Sequence, residues 1–482
     1  MNFLSNILLI FLSAFFTFLS HPNFIFSDGL SFFSWFNLVP FLYLLKKNNL
    51  RNCVLSGTVY GFLSCFFVCN WLITYNFWAG FFVYILFAFY WAVLSFLLKF
   101  SFKIKYHYLL IVLLLVVQEI ISVKGYLGFG YCVSVYSQWN NSFFLSAASR
   151  FGIWIGSLLL ISVNVFIFKI IEVFLEKKFE TSFTELSISS MVPGFFFCLM
   201  LFCSFYPCKH QESENSLKVL LIQNNADPWQ EGIDEYIREV EELKNLTDEA
   251  LREYPETDLV VWPETAVVVD VLKYIDKSES QKRHKLAKDL FEYFESKDAV
   301  FITGNNHDDY NCALLVKKDS ENKILTDLYR KNHLVPFSED FPLKKILRPV
   351  YIKMIESGNV FWKKGNGINL LEFRAENFNE LIKAGTPVCF EDTFSEIPAM
   401  MKKQGANIIV NLSNDSWSNS LSCQKQHLAI ACFRCAETGL WAVRATNSGQ
   451  TCVINSSGEV LKELAPFTKS HLYCEVKLNN IK

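Results

Sequence analysis

The stretch YPCKHQESENSLKVLLIQNN, residues 206–225, divides the chain. Before it the sequence is rich in Phe and Leu and poor in charge. After it, from about Lys209, charges appear at the density of an ordinary soluble domain, and LKVLLIQ (217–223) reads as a buried strand. The 482 residues suffice for two or three domains; 51% are hydrophobic and 48 are Phe. A mean hydropathy of +0.23 is high for a soluble chain and points to membrane spans. A net charge of −2 gives no reason to expect a nucleic-acid partner.

Working back from the divide, apolar stretches long enough to cross a bilayer, some with help from flanking aromatics, lie near 3–19, 30–45, 53–75, 80–98, 107–122, 151–168 and 190–207. The first lacks a basic leader and a small-residue cleavage site, so an uncleaved helix is expected. Basic residues set the orientation. Lys46, Lys47 and Arg51 fill the second gap, Lys99, Lys103 and Lys105 the fourth, and Lys169, Lys177 and Lys178 the sixth. The first and third gaps hold none, and the fifth only Lys124 and Arg150. The N-terminus is therefore expected inside and everything after residue 208 outside. Seven spans exceed what a simple anchor needs, so a lipid-handling or docking role is open beside anchoring. A transporter would need more charge within the spans. The fifth gap, KGYLGFGYCVSVYSQWNNSFFLSAASR (124–150), reads either as an interfacial segment lining a lipid entrance or as an amphipathic loop. Glu119, near the outer end of the fifth span, is costly there unless solvated or paired.

Working forward, strand-like runs occur at 217–223, 258–264, 299–305, 312–318, 387–391, 406–415, 441–447 and 451–458. Helical spacing recurs at 231–253, 280–297 and 423–438. Strands mixed with helices predict an α/β domain with a covered sheet. Three strand ends carry chemistry. VVWPETAV delivers Glu264 where Pro263 stops a strand, YRKNHLVPFSEDFP delivers Lys331 after the run ILTDLY, and PVCFED delivers Cys389. A thiolate is a nucleophile, a carboxylate can take its proton, and a lysine can hold the resulting anions. From spacing alone this is one triplet among many, and Cys389 could equally be a core thiol or a disulfide partner.

WPE, then KNHLVPFSE, then CFED, in that order, resembles the nitrilase superfamily, whose members carry a Glu-Lys-Cys triad on an αββα sandwich. YRKNHLVPFSEDFP, GYLGFGYCVSVYSQ, NLSNDSWS and RATNSGQT resemble in particular the apolipoprotein N-acyltransferases of bacterial envelopes. The resemblance covers nearly the whole chain. It implies a polytopic α-helical membrane bundle over 1–208 and a nitrilase-like catalytic domain over 209–482 on the periplasmic face of the inner membrane. It makes Glu264 the general base, Lys331 the thiolate and oxyanion stabiliser, and Cys389 the nucleophile. Glu339 would orient Lys331 or the attacking amine, and Glu391 would support the nucleophile loop. Trp229, in DPWQEG, matches an aromatic near the acyl pocket or fills core, and Asn414 would order the strand end near Cys389.

The implied reaction is ping-pong transfer of a fatty acyl chain from a phospholipid to the α-amine of a diacylglyceryl-cysteine at a lipoprotein N-terminus, by a monomer without metal or other cofactor. A membrane-tethered amidohydrolase and an inactive lipoprotein-binding scaffold are the competing readings. The family usually has a further span after the nitrilase domain. HLYCEVKLNNIK is not apolar enough for one, so seven spans are expected rather than eight. Phe390 stands where relatives also carry tyrosine. No GxGxxG or Walker pattern suggests a nucleotide. Of the other cysteines, those in spans read as small hydrophobes, CFRC (432–435) lacks a second ligand pair, and disulfides on the outer face are open. His333 reads as structural.

Overall fold

The computed structural model describes residues 2–105, 107–176, 179–208, 211–277, 280–342, 344–346, 348–356, 360–375 and 378–479, without side chains for 176 and 179–185. Lys177, Lys178 and Lys209 lie outside the described residues. The chain forms two compact units. One is Met1–Cys208 with Ser420–Phe433, and the other is Lys209–Asn419 with Arg434–Lys482.

The first unit is helical. Its elements are α1 (Phe3–Ser20), α2 (Val39–Lys47), α3 (Leu50–Val68), α4 (Leu72–Tyr75), α5 (Phe77–Ser101), α6 (His107–Ser122), α7 (Ser142–Phe151), α8 (Trp154–Glu176) and α9 (Phe179–Phe205). Among the described residues, α1, α5, Trp154–Leu175 of α8 and Leu186–Phe205 of α9 have the length and apolarity to cross a membrane, and α6 is apolar but shorter. The stretch 30–45 folds instead as a 3-10 turn, Ser31–Trp35, and the nine-residue α2. At 1.5 Å per residue α2 rises roughly 14 Å, about half a hydrocarbon core.

Small residues set the closest helix approach. Gly57 and Gly61 lie four apart on α3, and a Cβ on Gly57 would come within 2.2 Å of Ser95 Oγ, one on Gly61 within 2.4 Å of the Phe87 carbonyl, both on α5. This GxxxG spacing lets two backbones touch without a hydrophobic driving force. Buried polar groups are tied in. Asn164 Oδ1 accepts from Leu38 N at 2.8 Å, and Glu119 Oε1 accepts from Ser134 N at 2.9 Å. Glu119 therefore braces the segment after α6 rather than reaching headgroups.

The second unit contains β1 (Glu212–Gln223), α10 (Ile233–Glu253), β2 (Leu259–Val261), α11 (Val271–Tyr274), α12 (Gln281–Glu295), β3 (Val300–His307), β4 (Tyr310–Lys318), β5 (Ile324–Arg330), α13 (Arg348–Glu356), β6 (Leu371–Phe373), β7 (Ile382–Gly385), α14 (Glu396–Lys403), β8 (Ile408–Ser413), the last turn of α15 (Leu421–Thr438, whose residues up to Phe433 belong to the first unit), β9 (Ala442–Thr446), β10 (Cys452–Ile454), β11 (Val460–Glu463) and β12 (Ser470–Asn479). The strands make two six-stranded sheets, β12-β1-β2-β3-β4-β5 and β11-β10-β9-β8-β7-β6. β1 packs against β9, so the sheets face each other. The outer face of the first carries α10 and α12, where Leu220, Trp262 and Phe301 bury against Val240, Leu243, Leu290 and Phe294. α14 lies on β7, whose Gly385 brings Met401 within 3.0 Å of a Cβ built there. Together the two units make a polytopic helical bundle and a nitrilase-like αββα sandwich. Strands buried on both faces explain why LKVLLIQ and DLVVW read as unbroken apolar runs.

One strand expectation is corrected. PVCFE (387–391) is not a strand. β7 ends at Gly385, and Cys389–Thr393 is a 3-10 turn that Cys389 enters at φ +49°.

Glu239 sits buried on α10. Burial first, then the neighbouring Glu235 charge, raise its carboxyl from 4.5 to about 7, against Arg238. A carboxyl raised on folding contributes stability in full below its unfolded value and loses it as pH rises through the folded one. Glu239→Gln is thus expected to stabilise the protein by about 1 kcal/mol at pH 8 and to change little at pH 4.5. Thermal unfolding at the two pH values checks this.

Candidate active site

Three chain turns deliver the charged groups, one after β2, one after β5 and one after β7. After β2, Trp262 N still donates to Ile302 O at 2.9 Å. Pro263 then ends the pairing and Glu264 turns in, followed by Thr265 at φ +59°. β3 makes room for this turn at Gly304. A Cβ there would lie 2.5 Å from Thr265 N and 2.7 Å from Glu264 Cα.

Lys331 directly follows β5, its N–H donating to Asn311 O at 2.9 Å. Its Nζ donates to Glu264 Oε1 at 3.2 Å and to Glu339 Oε1 at 2.8 Å. Asn311 Nδ2 reaches the same two oxygens at 2.9 and 3.1 Å. One ammonium and one amide thus hold two carboxylates that would otherwise repel. Glu339 is fixed from behind, since Val335 N donates to its Oε2 at 2.8 Å.

Cys389 is 7% exposed and free. Its thiol lies within the electrostatic reach of Glu264 and Lys331. Burial, then the Glu264 carboxylate, push the thiol well above its usual range, with Lys331 pulling the other way. Burial likewise raises the Glu264 carboxyl, against Lys331. Burial alone would lower Lys331, but the carboxylates of Glu264 and Glu339 override it and hold the ammonium charged. The resting cluster therefore holds a neutral thiol beside a cation and two acids.

Glu391 is fully buried and ties two of the turns together. Its Oε1 accepts from Asn332 N at 2.6 Å and His333 N at 3.0 Å, and its Oε2 from Val388 N at 2.9 Å. Tyr329 OH lies 2.9 Å from Oε2. One carboxylate thereby fixes the backbone just after Lys331 and just before Cys389. Asn414 Nδ2 donates to Thr265 Oγ1 at 2.8 Å, joining the end of β8 to the Glu264 turn. Trp229 stands 65% exposed and fills no core. Its loop is anchored by Ala226 N donating to Asn447 Oδ1 at 2.8 Å, and Asn447 Nδ2 donates to Asn414 Oδ1 at 3.3 Å. His333 stacks on Phe394, ring centroids 3.8 Å apart, and burial lowers its pKa to about 4. It is a neutral packing group.

Sequence reading missed Asn311, Tyr329 and the buried Asp392–Arg444 ion pair. Asn311 had one signal, an amide at the start of the apolar run CALLVKK. The pairing of Asp392 with Arg444 spans 52 positions and leaves no local pattern.

Residues 13–166 match the apolipoprotein N-acyltransferase N-terminal domain, and residues 225–482 match the carbon-nitrogen hydrolase family. Apolipoprotein N-acyltransferase 1 of Treponema denticola is 36% identical, over 98% of this chain and 90% of its own length. The chain belongs to the apolipoprotein N-acyltransferase family. Apolipoprotein N-acyltransferase 1 of Treponema pallidum is 32% identical over 95% of this chain and 87% of its own length. The apolipoprotein N-acyltransferase of Borreliella burgdorferi is 30% identical over 96% and 88%. The protein is thus an acyltransferase of the nitrilase superfamily with a membrane part.

Within this acyltransferase, Gly304→Ala forces the Glu264 turn away from β3. The expected result is an acyl-transfer rate lower by about 10- to 100-fold, because a small misplacement of a group that orients the reacting atoms is costly. Unfolding free energy should fall by about 1–3 kcal/mol. Initial rates and chemical denaturation measure the two.

Proposed function

We propose that this protein moves a fatty acyl chain from a phospholipid to the α-amine of the diacylglyceryl-modified N-terminal cysteine of an apolipoprotein. The supporting observation is the buried cluster in which Glu264 holds the Lys331 ammonium at 3.2 Å and both act electrostatically on the Cys389 thiol. Proton transfer from Cys389 to Glu264 leaves the cluster's net charge unchanged, so a thiolate forms without burying a new charge. Cys389 Sγ attacks the ester carbonyl carbon, and Lys331 Nζ stabilises the oxyanion. The tetrahedral adduct collapses, the ester C–O bond breaks, and Glu264 returns its proton to the departing lysophospholipid alkoxide.

The thioester then awaits the amine. Attack of the amine nitrogen breaks the C–S bond, Glu264 takes the amine proton, and the thiol is restored. Near-complete burial of Cys389 keeps water from the thioester. In this reading Glu339 and Glu391 are positioning residues for Lys331 and for the Cys389 turn, and Asn414 holds the Glu264 turn. The exposed indole of Trp229 contacts the acyl chain.

Residues 1–208 form a transmembrane bundle of about seven helices with the N-terminus inside, and residues 209–482 the catalytic domain on the periplasmic face of the inner membrane. Even gaps rich in Lys and Arg support this orientation. Incubation with a fluorescent phospholipid and a diacylated lipopeptide tests the function. N-acyl peptide is the expected product; free fatty acid alone would make the protein a hydrolase, and no acyl-enzyme at all would make it a scaffold.

A further inference from the structure

Three thiols that the acyl-transfer cluster does not use converge in the first unit. Cys65 and Cys69 stand one helical turn apart at the end of α3, and Cys132 arrives from the segment between α6 and α7. Their sulfur atoms all lie within 4.8 Å of one another, and Cys69 Sγ is 3.9 Å from Cys132 Sγ. Cys65 and Cys69 are fully buried, while Cys132 is partly exposed.

The surroundings hold the three in place. Tyr84 OH donates to the Cys69 carbonyl at 2.8 Å. Tyr131, beside Cys132, packs edge-on to Trp71 at 5.2 Å, and the Trp71 indole N–H donates to Gln426 Oε1 at 3.0 Å. Glu119 lines the same small cavity as Cys132, whose other walls are apolar or neutral polar groups such as Leu38, Tyr60, Ser64 and Trp91.

Three convergent thiols can bind a soft metal ion or form a disulfide. Metal binding requires thiolates, and a divalent ion offsets three of them only in part, with the Glu119 carboxyl lining the same cavity as Cys132. A disulfide is neutral. Cys65 and Cys69 project in parallel from one helix face, which does not suit a bond between them. Cys69 and Cys132 come from different segments and already touch. We propose that Cys69 and Cys132 form a disulfide that ties the 123–133 segment to α3, with Cys65 kept as a free thiol beside it. The inference rests on the orientation proposed above, which puts the end of α3 on the outer, oxidising side.

The chemistry is thiol–disulfide exchange with a disulfide-bearing oxidoreductase. Cys132, the more accessible thiol, loses its proton and attacks a sulfur of the oxidant's disulfide, releasing one oxidant thiolate. Cys69, deprotonated in turn, attacks Cys132 Sγ in the mixed disulfide and releases the second. Two protein thiols give up two electrons and two protons, and the oxidant becomes a dithiol.

The test uses the full chain in native membranes, quenched with N-ethylmaleimide, denatured and digested without reductant for mass spectrometry. The expected result is a Cys69–Cys132 linked peptide about 2 mass units lighter than its two parts, with Cys65 alkylated. The link should persist in Cys65→Ser, vanish in Cys132→Ser, and vanish on reduction. Alkylation of all three cysteines without reductant overturns the proposal, as does metal released from the native protein on thiol blocking. Labelling of Glu321→Cys by an impermeant maleimide reports the orientation separately. Free thiols with a labelled Cys at 321 refute the disulfide alone, whereas an unlabelled one refutes the orientation with it.

Discussion

Cys389→Ala is expected to abolish acyl-enzyme formation and to lower lipoprotein acylation on the order of 10⁴- to 10⁶-fold, without unfolding the protein. On the proposed mechanism this change removes the nucleophile and with it the covalent step. The fold should hardly notice, since the thiol is small and lies on a turn fixed by Glu391 and by the Val388–Leu412 bridge. Cys389→Gly separates the two effects further. Cys389 sits at φ +49°, a conformation that costs an L-residue roughly 1–2 kcal/mol and glycine almost nothing. The glycine variant should therefore be as inactive as the alanine variant yet more stable by about 1 kcal/mol. Thermal melts alongside intact-mass detection of the acyl-enzyme decide it. Equal stability of the two variants would show that the turn is unstrained.

Thr265 at φ +59° lies on the Glu264 turn and Phe337 at φ +66° on the loop after Lys331, so each of the three site segments carries a left-handed residue. Strain kept at all three turns is what a site held by its surroundings, rather than by local preference, requires. It also explains what the sequence could and could not disclose. The apolar runs of β1, β2, β3 and β4 were legible because both faces of their central residues are buried. Glu264, Lys331 and Cys389 stood out as charged or thiol residues at the ends of such runs. The turn at PVCFE was misread as strand because its residues are apolar and only φ at Cys389 breaks the pattern. β12 escaped notice because HLYCEVKLN alternates weakly and gains its place by pairing with β1, more than 200 positions away. The stretch 30–45 read as a span on composition alone, whereas a 3-10 turn takes up its first residues and leaves α2 short. The carboxylate grip on two turns by Glu391 is long-range on one side, 62 positions back to Tyr329, and so invisible to spacing.

Lys331→Met should be the most damaging single change to stability and activity together. Lys331 is 1% exposed and its ammonium is shared by Glu264 and Glu339. A methionine leaves the buried Glu264 and the partly buried Glu339 with only Asn311 between them. Breaking such a pair costs about 3–5 kcal/mol, because the remaining charges lose their partner while staying out of water. The loss should depend on pH with a definite sign. Without the cation, the Glu264 carboxyl, already raised by burial, loses the Lys331 charge that lowers it and rises further above its unfolded value. Its stabilising contribution is then complete below the unfolded pKa and is lost as pH climbs through the raised one. The variant should therefore approach wild-type stability near pH 4.5 and fall furthest behind near pH 8. Adding Glu264→Gln removes one of the stranded charges and should recover much of the stability at pH 8, yet leave transfer abolished, since neither proton acceptor nor oxyanion partner remains. Denaturant titrations of wild type, Lys331→Met and the double variant at the two pH values measure each of these differences. If Lys331→Met is equally destabilised at both, the ammonium does not balance the carboxylates, and the charge-neutral route to the thiolate loses its basis.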